Sequence, residues 1–167
     1  GRYSILAFSP DLIWRCTGES AEINRNARTS PDMFEPMEGR SLDLLSALVD
    51  ECRIEIPPEL PPMAAGLFGY FSYDAVRLME RLPDDNPDTI DIPDSVFFRP
   101  TIIAVFDNVA DKVTLVTPVW ADPAVDCDRA YADACARLDA AVEDFDRGVP
   151  RIASVPEGSE IEITPVS

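Results

Sequence analysis

The sequence contains no histidine, and that absence excludes several mechanisms at once. No Ser-His-Asp triad, histidine general base or histidine-ligated zinc or haem can be built from these residues. Lysine is nearly absent too: Lys112 alone could form a Schiff base. Four cysteines (Cys16, Cys52, Cys127 and Cys135) are too few for a disulfide scaffold in 167 residues, and none forms a C-x-x-C pair. They read as reduced thiols serving as small apolar residues in a cytoplasmic protein. No apolar run approaches membrane-spanning length, and Gly1-Arg2-Tyr3-Ser4 is no signal peptide. Positive charge is scarce, at 14 basic against 31 acidic residues, a net −17. Such a field argues against unaided capture of nucleic acid, an anionic membrane or a dicarboxylate.

What remains is a 46% apolar chain, enough for one well-cored domain. RYSILAF reads as a strand ending at the turn cluster Ser9-Pro10-Asp11. Leu12–Cys16 and Ala21–Arg25 complete a predicted three-stranded antiparallel meander. Asn26–Arg40 reads as a loop. Ser41 is a candidate N-cap for a helix with Leu44, Leu45, Leu48 and Cys52 on one face, stopped by Pro57-Pro58. Gly66–Tyr73 (GLFGYFSY) reads as a buried strand approached closely by another backbone, and Asp74–Leu82 as a short helix with Val76, Met79 and Leu82 inward.

Pro83–Pro93 is an acidic, proline-rich loop, and Val96–Phe106 with Lys112–Val119 a hairpin. A long helix is expected from an Asp122 N-cap with Pro123 at its first position. Its apolar stripe is Ala124, Cys127, Tyr131, Ala134, Leu138, Val142 and Phe145, and Gly148 ends it. Residues 149–167 read as a linker or a last edge strand. With hairpins prominent and no regular βαβ alternation, the fold class is α+β with a largely antiparallel sheet and about three helices.

Chemistry-bearing patterns are few. Gly66 and Gly69, with Tyr70, Tyr73 and Asp74, could form a ligand-approach loop, though a core strand with Asp74 capping the next helix explains the same residues. The G-x-x-G spacing lacks the G-K-[ST] of a phosphate loop. Asp84, Asp85, Asp88, Asp91 and Asp94 cluster between prolines without a D-x-D-x-D-G loop, so a hard-cation site finds little support. Asp139, Glu143, Asp144 and Asp146 read as a solvated helix face. Arg2, beside the hydroxyls of Tyr3 and Ser4, could hold a carboxylate or simply begin an edge strand.

Three segments together resemble the large subunit (component I) of anthranilate synthase: GRYSILAFSPDLIWRC, LPPMAAGLFGYFSYDAVRLMERLP and PTIIAVFDNVADKVTLVTPVW. The family shows a G-R-Y/W-S-F-I-G run, a G-G-L-x-G-Y-x-x-Y-D motif and a V-F-D-H hairpin in this order. Pro93, Asp94, Phe97 and Pro100 match its P-D-x-x-F-x-x-P follower. Ile5-Leu6-Ala7 replaces F-I-G, and Asn108 stands where histidine is common.

The resemblance implies an N-terminal, non-catalytic domain over 1–148 and a linker over 149–167, with both flanks of the whole protein missing. It places the catalytic residues and the glutamate ligands of Mg²⁺ in a chorismate-binding domain beyond this chain, so no cofactor is expected here. It also implies a glutamine amidotransferase partner and feedback inhibition by L-tryptophan. Arg2, Tyr3 and Ser4 lie nearest to the family's L-L-E-S element, which helps hold that inhibitor and is not in this sequence. Two alternatives stand beside it: component I of aminodeoxychorismate synthase, in the folate branch, and a free-standing acidic interaction module.

Overall fold

The computed structural model describes residues 1–83, 90, 92–120 and 125–148. Along the chain come β1 (Tyr3–Thr17), β2 (Ser20–Asn24), β3 (Glu35–Met37), α1 (Ser41–Glu51) and β4 (Phe68–Phe71). A 3₁₀ helix (Tyr73–Leu78), β5 (Ser95–Asp107), β6 (Lys112–Val116) and α2 (Cys127–Asp146) follow. All the strands belong to one sheet in the order β3-β2-β1-β5-β4, with β6 also on β5, and every pairing is antiparallel. The α+β class is therefore the observed one.

The spine is β5. Its β-branched run Thr101-Ile102-Ile103 continues into Ala104-Val105, and all five residues are buried. β1 pairs with it from end to end on one side. On the other side β4 takes Ser95–Phe98 and β6 takes Ile103–Asp107.

The predicted meander is replaced by one long strand, because Ser9-Pro10-Asp11 makes a bulge rather than a reversal. The register with β5 slips between Pro10 and Leu12, and Ser9 takes φ 53°. β5 itself holds the bulge in place. Thr101 Oγ1 donates to the Ser9 carbonyl at 2.7 Å, and Arg99 donates to both Asp11 oxygens at 2.8 and 2.9 Å. Past the bulge, Leu12, Trp14 and Cys16 share a face. With Ala21 and Ile23 of β2 they meet Leu45, Leu48 and Cys52 of α1 in the main core. That helix face was foreseen from its spacing.

Its start was not. Ser41 is the first helical residue, and the N-cap is Arg40, with no side-chain cap. Ser41 is fully buried, and its hydroxyl donates to the Gly18 carbonyl at 2.9 Å, tying α1 to the β1–β2 turn. The segment expected as a plain loop, Asn26–Arg40, contains β3 and is organised by buried Asn24. That amide donates to the Ser30 and Pro31 carbonyls and accepts from the Asn26 N–H.

β4 lies at the sheet edge rather than inside it, with Tyr70 41% and Phe71 53% exposed. The close backbone approach, however, is real at Gly69, which lies opposite Phe97 of β5. The next helix is 3₁₀, so its inward residues follow a period of three: Ala75 is buried and Leu78 packs on the core. Val76 is half-buried, while Met79 and Leu82 are exposed. Its N-cap is Ser72, and Asp74 pairs with Arg77 instead of capping.

α2 begins at Cys127, where Asp126 is the N-cap and accepts from the Arg129 N–H. Asp122, Pro123 and Ala124 lie outside the described residues, as do Asp84, Asp85, Asp88, Asp91 and the tail 149–167. The helix seats on the sheet through two small residues seven apart, Ala134 and Ala141. Of the expected stripe, Cys127, Tyr131, Val142 and Phe145 are exposed. Phe145 still reaches Phe106, with ring centres 6.4 Å apart. Gly148 takes φ 67° just past the helix end, as its position predicts, and Asp139, Glu143, Asp144 and Asp146 are all exposed.

Candidate functional site

Arg2, Tyr3 and Ser4 meet the far end of β5. Tyr3 pairs with Asp107 and Ser4 with Phe106. Arg2 holds Asp107 through Nε (3.2 and 3.1 Å) and Nη2 (2.8 Å), and its guanidinium lies 4.9 Å from the Tyr3 ring centre. Asn108 bridges back, donating its backbone N–H to the Arg2 carbonyl at 2.8 Å and its amide to Ser4 Oγ at 3.4 Å. The one cation of this group is thus already matched to a carboxylate within the chain.

The Arg2 hydrogen bonds, with further N–H donors from Ala110 and Val109, hold the Asp107 carboxyl down at about 2, against an ordinary 3.8. A depressed carboxyl favours the folded state above its unfolded value, and that contribution disappears as pH falls through about 2. Arg2→Ala should raise the Asp107 titration yet leave it below 3.8, because both backbone donors remain. Carboxyl NMR reads this directly, and an unshifted titration would refute the pairing.

The glycine-aromatic motif sits elsewhere. Phe68–Phe71 pairs with Phe98–Ser95, nine to twelve residues from Asp107, about 30–40 Å along the strand. Its polar groups are used internally. Tyr70 Oη donates to the Pro93 carbonyl at 3.0 Å, and the Ser72 N–H to the Asp94 carbonyl at 2.6 Å. The Asp94 carboxylate accepts from the Gly18 N–H at 2.7 Å, clasping the β1–β2 turn to this edge. Gly66 takes φ 126° in open space, and Tyr73 is 89% exposed. The structure therefore keeps the two candidate groups apart.

Two concave surfaces escaped the sequence reading. One is an apolar groove of about 620 Å³ between α1 and β4, including Leu45, Val49, Ile54, Leu67 and Phe71. The other, about 790 Å³, includes Arg25, Arg28, Arg99, Arg137 and Trp120. Their residues come from separate elements, so no local spacing announces either.

Burial raises the Cys16 and Cys52 thiols, and a hydrogen bond from Arg25 lowers Glu51. Among the described residues no three His, Cys, Asp or Glu side chains converge on a possible metal position.

No protein-family model matches the chain. Anthranilate synthase component 1 of Cereibacter sphaeroides is 49% identical over 150 residues, covering 90% of this chain and 30% of that protein. The protein of the same name from Synechocystis is 32% identical over 168 residues, covering 98% of the chain and 31% of its own length. Over the stretch it spans, the chain belongs to the anthranilate synthase component 1 family. That stretch is about a third of the length of these relatives. A solved anthranilate synthase component I from Streptococcus pneumoniae has the same fold, with a TM-score of 0.69 at 23% identity, over 90% of this chain and 31% of that one.

The family-bearing segments are also structurally joined. GRYS opens β1, FGYF is β4, and the TIIAVF hairpin is β5–β6, so all of them meet on β5. Among the described residues no helix is long and apolar enough to cross a membrane.

Proposed function

We propose that this chain is the N-terminal, non-catalytic part of an anthranilate synthase component I, working in a reducing cytoplasm. The whole protein would convert chorismate and ammonia to anthranilate, pyruvate and water, with ammonia delivered by a glutamine amidotransferase subunit. The observation that carries this reading is the 49% identity sustained over 90% of the chain. The described residues supply scaffolding chemistry: Arg2, Arg25 and Arg99 are paired with carboxylates, the Glu51 and Asp107 carboxyls are moved down, and the Cys16 and Cys52 thiols are moved up. Its roles would be to pack its sheet against the chorismate-binding domain and to furnish, around Arg2, Tyr3 and Ser4, part of a tryptophan pocket. Tryptophan would then act by favouring one arrangement of the domains over another.

The 167-residue chain, given chorismate, ammonium and Mg²⁺, should yield no fluorescent anthranilate, and calorimetry should find no sub-millimolar binding of chorismate or tryptophan. Turnover would overturn the non-catalytic assignment, and sub-millimolar affinity for either ligand would overturn the expectation that this stretch alone binds neither. In the whole protein, Arg2→Ala should weaken tryptophan inhibition while leaving kcat nearly unchanged. The curated relatives favour the tryptophan branch over the folate branch, and the product decides: anthranilate with pyruvate, or aminodeoxychorismate without it.

A further inference from the structure

In a chain of net −17, four of the 14 basic residues line a single cleft between β5, the β2–β3 connection and α2. Two of these arginines are neutralised there. Arg25 forms a two-pronged pair with Glu51, and Arg99 forms another with Asp11. Burial pulls the Arg99 proton affinity down, but the Asp11 hydrogen bonds prevail and hold it raised. Arg99 also lies 4.5 Å from the Trp120 ring centre, and the Trp120 indole N–H donates to the Cys52 carbonyl at 3.2 Å, which fixes the ring.

The other two arginines differ. Arg137 spends Nε on a neutral acceptor, Thr117 Oγ1, at 3.2 Å, and among the described residues no carboxylate lies within ion-pair distance of Arg137 or Arg28. The third acidic group on the lining, Asp133, stands beside Arg129. The cleft therefore carries two guanidinium charges that the described residues do not match, above a floor whose own charges are paired. It is concave, so an occupant would be partly desolvated, which strengthens charge-assisted hydrogen bonds.

We propose that this cleft binds a small oxyanion, a carboxylate or a phosphate, between Arg28 and Arg137, with the Trp120 ring beside it. Guanidinium matches both anions in planar, two-pronged geometry. The chain's negative field opposes entry of any anion, so affinity must come from these local contacts and should rest on the two side chains.

Trp120 provides the readout, since the second tryptophan, Trp14, is wholly buried in the core. The 167-residue chain is titrated at constant ionic strength with inorganic phosphate, malonate and a hexaglutamate peptide, with chloride as reference. A saturating change in emission with phosphate or malonate, lost in Trp120→Phe, is the expected result. Which of the two saturates identifies the anion class. Affinity should fall about tenfold in Arg28→Gln and in Arg137→Gln, as loss of a charge-assisted hydrogen bond requires. It should hold in Arg53→Gln, whose guanidinium pairs with Asp50 outside the cleft. Circular dichroism establishes that each variant is folded. No saturation beyond chloride, undiminished affinity in both cleft variants, or saturation by hexaglutamate alone would each overturn the proposal.

Discussion

Replacing Gly69 with alanine should strip β4 from the sheet. Gly69 lies opposite Phe97 in the β4–β5 pairing, and a Cβ on it would stand 1.9 Å from the Val96 carbonyl oxygen and 2.8 Å from Phe97 Cα. Both are backbone atoms, so no rotamer change relieves the overlap. Either β4 lifts away or β5 bends, and β5 is held along its whole length by β1. Overpacking of this kind costs about 1–3 kcal/mol, and separating the strand also removes the Phe71–Phe97 edge contact at 4.9 Å. Urea titration should show a lower midpoint, and hydrogen exchange should show lost protection confined to Phe68–Phe71 and their partners. Gly66→Ala is the contrast. Its added Cβ meets nothing within 4 Å and is penalised only by φ 126°. Equal midpoints for wild type and Gly69→Ala would contradict the close approach.

Trp14→Ala should be more damaging still, at about 3–5 kcal/mol out of a typical total of about 5–15. Trp14 is completely buried, its ring 6.3 Å from that of Phe97, and it joins β1 to the face that α1 covers. Among the described residues its indole N–H has no hydrogen-bond partner, so the side chain stabilises by volume while carrying the cost of a dehydrated donor. Trp14→Phe should therefore lose much less than Trp14→Ala, because it removes that donor along with part of the volume. Denaturation midpoints of the two variants test this. A phenylalanine variant as unstable as the alanine one would show that the N–H is satisfied after all.

These two residues illustrate what can be read from sequence and what cannot. The G-x-x-G spacing announced a close approach at Gly69, since glycine in a strand has a local cause. Whether that strand lay inside the sheet or at its edge depended on its neighbours, and aromatic content alone misplaced it. Leu45, Leu48 and Cys52 were legible because a helix repeats its pattern within a few residues. Ser9-Pro10-Asp11 was misread as a reversal because the groups that hold it straight, Arg99 and Thr101, lie some 90 residues away. At α2, the apolar stripe placed Ala134 inward as observed, but its larger members Tyr131, Val142 and Phe145 stay exposed, and Ala141 joins Ala134 in the close seat on the sheet. Tyr131 was left 72% exposed. The arginine cleft had no signal at all, since its members are gathered by the fold from positions 25, 28, 99 and 137.

The pairing of Tyr3 with Asp107 spans 104 residues. The first half of β1, through Pro10, has no strand partner other than β5 among the described residues, whereas its second half also pairs with β2. At roughly 5–20 residues per second, synthesis needs about 5–20 s to make the rest of that span. During that interval Tyr3–Phe8 leaves the ribosome as an unpaired apolar strand, with Ile5 and Leu6 open to any passing edge. Long-range closure also slows folding itself. The first half of β1 is therefore made about a hundred residues before the strand that secures it, and during biosynthesis it is a segment that a chaperone would have to protect.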